Sequence, residues 1–375
     1  MSVEHYIGLM SGTSLDGVDG VLVATQEHGT AGLRLLSSAY QPFDAEFRHE
    51  ALALQTPGAN EIHREALLGN RLAHLYAACV TQLLEQASIG PDAVCAIGAH
   101  GQTIRHCPGQ GYSRQTNNPA LLAELTNIDV VADFRSRDIA AGGQGAPLVP
   151  AFHHAMLASV DEHRVIANIG GISNITLLRG DALSSVTGFD TGPGNMLMDA
   201  WAARHLGLPY DKNGAWAGTG IVNEPLLTDM RSDGFFQKAP PKSTGRDLFD
   251  MAWLENKLDG FGQLPPADVQ ATLLALTATT LADAVVTHAP EALAVYICGG
   301  GVYNEQLLLK IEQALKFSGH PAVVTSTAAL GISPTHVEAM AFAWLAARFK
   351  QGQAGNLPAV TGAQGTRIMG ACYPR

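Results

Sequence analysis

The stretch Tyr6-Ile7-Gly8-Leu9-Met10-Ser11-Gly12-Thr13-Ser14-Leu15-Asp16-Gly17-Val18-Asp19 decides how this chain is read. Residues 6–10 are mostly apolar and run into Ser-Gly-Thr-Ser. An apolar run resumes at 18–25, and a third follows at 33–40. Strands joined by a Gly/Ser/Thr/Asp tip form a hairpin, and the third strand extends it into a meander. The tip also has chemical content. Glycine lets a backbone come close to a phosphate, and successive N–H groups form an anion nest. Thr13 and Ser14 add hydroxyl donors. No Gly-Lys-Ser/Thr follows, so this is not a Walker A loop. Taken alone, the string is equally a plain hairpin turn.

The pattern returns in the second half. Residues 165–169 read as a strand, Gly170-Gly171-Ile172-Ser173-Asn174 as a turn, and 175–178 as a strand. One strand–glycine turn–strand unit near the start of each half reads as an internal duplication, with two unrelated hairpins as the alternative. Between them, Leu68, Leu72, Leu75, Tyr76, Val80, Leu83 and Leu84 recur at helical spacing within 62–87. Residues 94–99 form an apolar strand into His100-Gly101-Gln102-Thr103, and 128–134 another into Arg135. The Gly/Ala/Pro-rich segment 139–150 marks a domain boundary. Beyond it come strand 186–190, helix 269–288, strand 293–298, helix 304–315, strand 322–325 and helix 334–349. This alternation implies α/β layers. The expected domains are 1–138 and 139–351, with a Gly-rich tail, about 352–375, able to pack back onto the first.

Composition limits the function classes. The 375 residues suit two domains. Lys+Arg number 23 against 34 Asp+Glu, a net charge of −11 with no dense basic run, which argues against nucleic acid as the partner. A small anion can still be held by backbone N–H groups and a metal. The five cysteines are scattered and none forms C-x-x-C, which fits a reducing cytoplasm. The start lacks the pattern of a signal peptide. The longest uncharged stretch, 139–160, is interrupted by Gly, Gln, Pro and His and makes a poor membrane span.

Further strings could carry chemistry. Phe189-Asp190-Thr191-Gly192-Pro193-Gly194-Asn195 sets a carboxylate at a strand's carboxyl end before a helix, the edge where α/β sheets bind ligands. Asp190 is there a base, a metal partner or a helix cap. Cys298-Gly299-Gly300-Gly301-Val302-Tyr303-Asn304 joins strand to helix. Its glycines permit approach of a ring or ribose, but the dinucleotide-binding spacing is missing. Asp133, Arg135 and Asp138 form a polar knot after an apolar strand. Glu338 stands in a largely apolar helix, on its exposed stripe or facing a site. The pair His153-His154 reads as structural.

Together these strings resemble the anhydro-N-acetylmuramic acid kinase family. The resemblance rests on residues 7–19, 98–103, Asp133-Phe134-Arg135 with 141–148, 168–174, 189–195 and 298–304, six motifs in order over nearly the whole chain. It implies the actin, sugar-kinase and heat-shock ATPase fold: two ribonuclease H-like α/β domains with a nucleotide cleft between. It implies an ATP- and Mg2+-dependent kinase that opens the 1,6-anhydro ring of a cell-wall sugar and phosphorylates its O6. By the same resemblance Asp190 is the base. Gly12, Thr13, Ser14, Leu15, Asp16, Gly17, Val18, Asp19, Gly170, Gly171, Ser173 and Asn174 hold phosphates. Gly299, Gly300, Gly301 and Asn304 hold the adenosine, and Arg135, Glu338 and Gln102 the sugar. Many members of the wider superfamily carry Asp where this chain has Met10, so the metal ligands stay open, with Asp16 and Asp190 as candidates. The expected partner is a small sugar, with no nucleic acid and no membrane, and with a homodimer left open. Another sugar or acyl kinase of the same fold is the alternative; an ATP-driven binding module is the rival from outside the kinases.

Overall fold

The computed structural model describes residues 3–25, 32–245 and 248–375. In chain order the elements are β1 (His5–Met10), β2 (Gly17–Thr25), β3 (Leu33–Pro42), α1 (Ala45–Ala53), α2 (Glu61–Ala87), β4 (Val94–Ala99), β5 (Gln102–Cys107), β6 (Tyr112–Thr116), α3 (Pro119–Thr126), β7 (Val130–Ala132), α4 (Phe134–Ala140) and α5 (Val149–Leu157). They continue as β8 (His163–Ile169), β9 (Ile172–Arg179), β10 (Thr187–Pro193), α6 (Met196–Leu206), α7 (Glu224–Arg231), α8 (Met251–Leu258), α9 (Pro266–His288), β11 (Ala294–Cys298), α10 (Glu305–Phe317), β12 (Val323–Ser326), α11 (Val337–Lys350), α12 (Pro358–Thr361) and β13 (Ala371–Tyr373).

Two sheets carry the fold, and they share one topology. The first runs β13-β7-β4-β1-β2-β3, the second β10-β9-β8-β11-β12. In each, the first three strands form an antiparallel meander. In each, the fourth and fifth strands add in parallel on the other side of the first. The duplication read from the two glycine hairpins is therefore structural, and this is the repeated ribonuclease H-like unit of the actin and sugar-kinase fold.

The chain divides into two compact units, Met1–Leu157 with His336–Arg375, and Ala158–Thr335. The sequence reading set the divisions at 138/139 and 351/352; they fall later at the first crossing and earlier at the second. The physical reason is α11. A Cβ at Gly8 would lie 1.8 Å from the Ala339 carbonyl, and one at Gly98 2.0 Å from that of Phe342. The helix therefore rests backbone to backbone on β1 and β4, and Val337 with residues 339–347 are buried. The tail extends the same sheet, with β13 antiparallel to β7.

Other differences are local. The strand expected over 128–134 is only β7, and Arg135 lies in the first turn of α4 rather than in a loop. The strand expected at 186–190 runs on to Pro193 through an irregularity after Asp190. Of the described helices, α9 alone is long and apolar enough to span a membrane, but 83% of its most apolar window is buried. It is the core helix of the second unit, lined by Leu273, Leu276, Leu281 and Val285.

Candidate active site

In the first unit the turn between β1 and β2 is built downward from its anchors. Amphipathic α2 buries Tyr76 completely. The Tyr76 hydroxyl lies 2.9 Å from Ser11 Oγ and accepts the Gly101 N–H at 3.0 Å. Ser11 Oγ donates to the Gly101 carbonyl at 2.9 Å. Gln102, also fully buried, donates through Nε2 to the Gly12 carbonyl at 3.0 Å. The β4–β5 corner thus fixes residues 11–12, while Thr13, Ser14 and Asp16 stay exposed. Within the turn, Asp16 Oδ1 accepts from Ser14 Oγ at 3.0 Å and from the Gly17 N–H at 3.1 Å. Gln102 was expected as a sugar contact. Its Nε2 is engaged by the turn, while its Oε1 is buried without a partner among the described residues.

Arg135 is held from two sides. Nη1 donates to the Gly145 carbonyl at 2.8 Å, and Nη2 lies 2.8 Å from His100 Nε2. Gly145 is fixed by fully buried Asp138, which takes its N–H at 2.8 Å on Oδ2. Oδ1 of Asp138 accepts from Asn356 Nδ2 and Thr361 Oγ1, both at 2.7 Å, which ties this loop to the tail. The polar knot is thus partly the interior of the unit. Burial lowers the Arg135 pKa to about 10, against the opposing pull of Glu338 and Asp138.

Glu338, at the start of α11, also bears on Asp19. Burial pushes Asp19 up to about 7, with Asp16 and then Glu338 adding to the shift. Asp19 stands directly opposite Met10 in the β1–β2 register. Paired residues project from one face, so Asp19 puts a carboxylate on the face that Met10 occupies. Among the described residues, no three His, Cys, Asp or Glu side chains converge as metal ligands. Magnesium commonly uses one or two carboxylates completed by phosphates and water, and a partial set such as Asp16 and Asp19 fits that habit.

In the second unit, register builds a polar row. Cys298 pairs with Asn168, Asn168 with Asn174, and Asn174 with Asp190, across β11, β8, β9 and β10. These side chains share one face. Asp190 is also clipped by a neighbouring segment. Its N–H donates to the Lys242 carbonyl at 3.0 Å, and its Oδ2 accepts the Thr244 N–H at 2.8 Å. Burial raises its pKa to about 7, opposed by the Thr244 hydrogen bond and the charge of Lys242. A recess of about 210 Å³ is lined by Phe189, Lys238, Lys242 and His288. Phe189 alternates with Asp190 along the strand, so this hollow lies behind the carboxylate's face.

The glycine turns divide by what surrounds them. Gly170 and Gly171 offer their carbonyls to Asn195, Gly194 and Met196 N–H groups, so the hairpin caps the start of α6. Asn195 occupies the N-cap position, but its side chain donates to the Ile169 carbonyl instead of capping. A Cβ at Gly299 would meet Asn168 Oδ1 at 2.4 Å, and one at Gly301 would meet Ile169 at 2.4 Å. The protein itself therefore demands those two glycines. Gly12, Gly170 and Gly300 instead face room, with nothing nearer than 3.6, 3.8 and 3.9 Å. Asn304 N-caps α10 by accepting the Leu307 N–H at 3.0 Å. Ser173 is fully buried.

The family model for anhydro-N-acetylmuramic acid kinase matches residues 4–375. The chain belongs to that family. It is 56% identical over 370 residues to the anhydro-N-acetylmuramic acid kinase of Burkholderia cenocepacia, covering 99% of this chain and 96% of that one. It is 54% identical over 382 residues to the enzyme of the same name from Cupriavidus metallidurans, covering 100% and 98%. Among solved structures it is similar to the activator of the 2-hydroxyisocaproyl-CoA dehydratase from Clostridium difficile with bound ADPNP, at TM-score 0.46 and 10% identity over 93% and 97% of the two chains. As an anhydro-N-acetylmuramic acid kinase family member, the chain has groups around its motifs that sequence reading left without a role: Tyr76, His100, Asp138, Asn168 and the 242–244 clip. His100 and Asn168 stood inside quoted motifs. Asp138 stood in the polar knot with Arg135, but nothing in sequence tied Tyr76 or residues 242–244 to the site, because each acts through contacts distant in the chain.

Proposed function

We propose that this chain is the ATP-dependent kinase of its family. Water attacks C1 of 1,6-anhydro-N-acetylmuramate, the C1–O6 bond breaks, and O6 takes the γ-phosphoryl group. The products are N-acetylmuramate 6-phosphate and ADP, within peptidoglycan recycling in the cytoplasm. The whole-chain match to the family carries this reading, and the surroundings of Asp190 support it. A carboxylate with a pKa near 7 is poised as a general base at neutral pH. It takes the proton of the attacking water, and departing O6 needs no acid because phosphorus captures it.

The remaining roles follow the family motifs. Residues 12–19 hold phosphate through the turn's backbone and the exposed Thr13 and Ser14 hydroxyls; Gly170, Gly171 and Asn174 have the same role in the second hairpin, with fully buried Ser173 supporting that turn from beneath. Gly299, Gly300, Gly301 and Asn304 serve the adenosine, with Gly300 the glycine best open to it. Arg135 and Glu338 contact the sugar. Gln102 serves that site through the Gly12 carbonyl. Bound magnesium would offset phosphate charge, with Asp16 and Asp19 the residues to hold it.

The deciding experiment runs the reaction in ¹⁸O-water and reads the fresh product by mass spectrometry. Label on C1 and none in the phosphate is expected. Early product with unlabelled C1 would reject coupled ring opening and favour a simple sugar or acyl kinase.

A further inference from the structure

His100 is buried where β4 ends, and it touches two parts of the first unit that sequence separates. Its Nδ1 lies 3.0 Å from the Ser11 carbonyl, and its Nε2 lies 2.8 Å from Arg135 Nη2. These partners leave one protonation pattern. A carbonyl only accepts, so Nδ1 carries the proton. A guanidinium only donates, so Nε2 offers its lone pair. The ring is therefore neutral, and its tautomer is set by its surroundings. It lies against Phe342 of α11, ring centroids 4.8 Å apart.

We propose that His100 is a positioning residue that locks the Arg135 guanidinium to the backbone of the 11–12 turn, so that the sugar contact and the phosphate turn are set together. Nη1 is held by Gly145 and Nη2 by His100, which fixes the plane of the guanidinium. Its Nε is buried with no partner among the described residues. Two of its five N–H groups are spent, and a guanidinium fixed at two corners presents the others in one orientation. Burial, followed by the charge of Arg135, lowers the His100 pKa to about 3, so the lock does not open across the neutral range.

The proposal rests on Arg135 being a sugar contact, and the test separates the two. His100→Asn keeps an N–H donor near Nδ1 but loses the acceptor for Arg135. His100→Gln can return an acceptor near Nε2. The expected result is a rise of roughly tenfold in KM for the anhydro sugar in His100→Asn, with KM for ATP within about twofold, and a smaller rise in His100→Gln. Arg135→Lys is measured beside them. An unchanged sugar KM in Arg135→Lys overturns the role of Arg135, and this inference with it. A raised KM there with a wild-type value in His100→Asn overturns the role of His100 alone. A second measurement does not depend on a folded Asn variant. In ¹⁵N-histidine spectra of the wild-type protein, one ring should hold the Nδ1–H tautomer unchanged from pH 6 to 8. His100→Gln assigns it by loss of the signal. An Nε2–H tautomer, or a midpoint near 6.5 for that ring, overturns the proposal.

Discussion

Asp190 keeps its proton to a pH at which an ordinary aspartate has long lost it, and this has opposite consequences for turnover and stability. In Asp190→Asn the base is gone, and turnover should fall by about 10²–10⁴. The wild-type rate should rise with pH through a limb near 7, set by burial of the carboxylate. A flat profile from pH 5.5 to 8 would contradict the assignment. For stability, both states are protonated below about pH 4. Between there and about 7 the unfolded chain ionises while the folded one resists. The folded state thus binds more protons, and stability falls as pH rises through that window. Asn carries no such penalty and can still accept the Thr244 N–H. At pH 8 the variant should melt higher, by an amount on the order of 1 kcal/mol. A lower melting temperature would mean that the ionised carboxylate is not penalised in the fold and that its pKa is not raised. In sequence, Asp190 was legible as a strand-end carboxylate. Its near-neutral pKa was not, because the clip through Thr244 comes from more than fifty positions away.

At the scale of elements, the same residue type has two duties that substitution can separate. Gly8 and Gly98 exist because α11 lies against them. Gly98→Ala forces a Cβ into a helix carbonyl, and overpacking of this kind costs about 1–3 kcal/mol or more. Gly12 and Gly300 have room for a methyl group, so alanine there should leave the melting temperature of the ligand-free protein within about 0.5 kcal/mol. ATP with magnesium should stabilise the wild type by about 2.7 kcal/mol at a hundredfold excess over Kd. Gly12→Ala should lose much of that rise; an undiminished rise would remove Gly12 from the phosphate site. Long periodic elements were legible at this scale. Helices α2 and α9 and strands β4 and β11 emerged close to the expected bounds. The β5–β6 hairpin and the helical setting of Arg135 were not, since neither has a long periodic run. The first is a polar ribbon, and the second a single pair of turns fixed by Asp138 and the tail. Asp138→Ala should therefore cost about 3 kcal/mol or more, by leaving the buried Gly145 N–H and an Asn356 amide hydrogen unanswered and Thr361 Oγ1 only the Leu357 carbonyl at 3.3 Å; a loss under 1 kcal/mol in a thermal melt would refute that account.

For the whole molecule, the first unit is discontinuous and the second is one stretch of chain. Residues 158–335 expressed alone should melt cooperatively, whereas residues 1–157 alone should not, lacking the helix that covers β1 and β4. Joining 336–375 to that fragment should restore a cooperative transition. A cooperative melt of 1–157 by itself would show α11 to be dispensable. The duplication was readable from two glycine turns because both serve the same hairpin. The true crossing points were not, because α11 has no local feature naming the sheet it joins. Its position also orders events on the ribosome. The helix that covers the first sheet is made only after the whole second unit. At roughly 5–20 residues per second, the glycine-lined face of β1 and β4 waits on the order of ten seconds or more while the whole second unit emerges and can fold ahead of it. The nascent protein thus exposes an apolar sheet surface throughout that interval, until translation has passed residue 350.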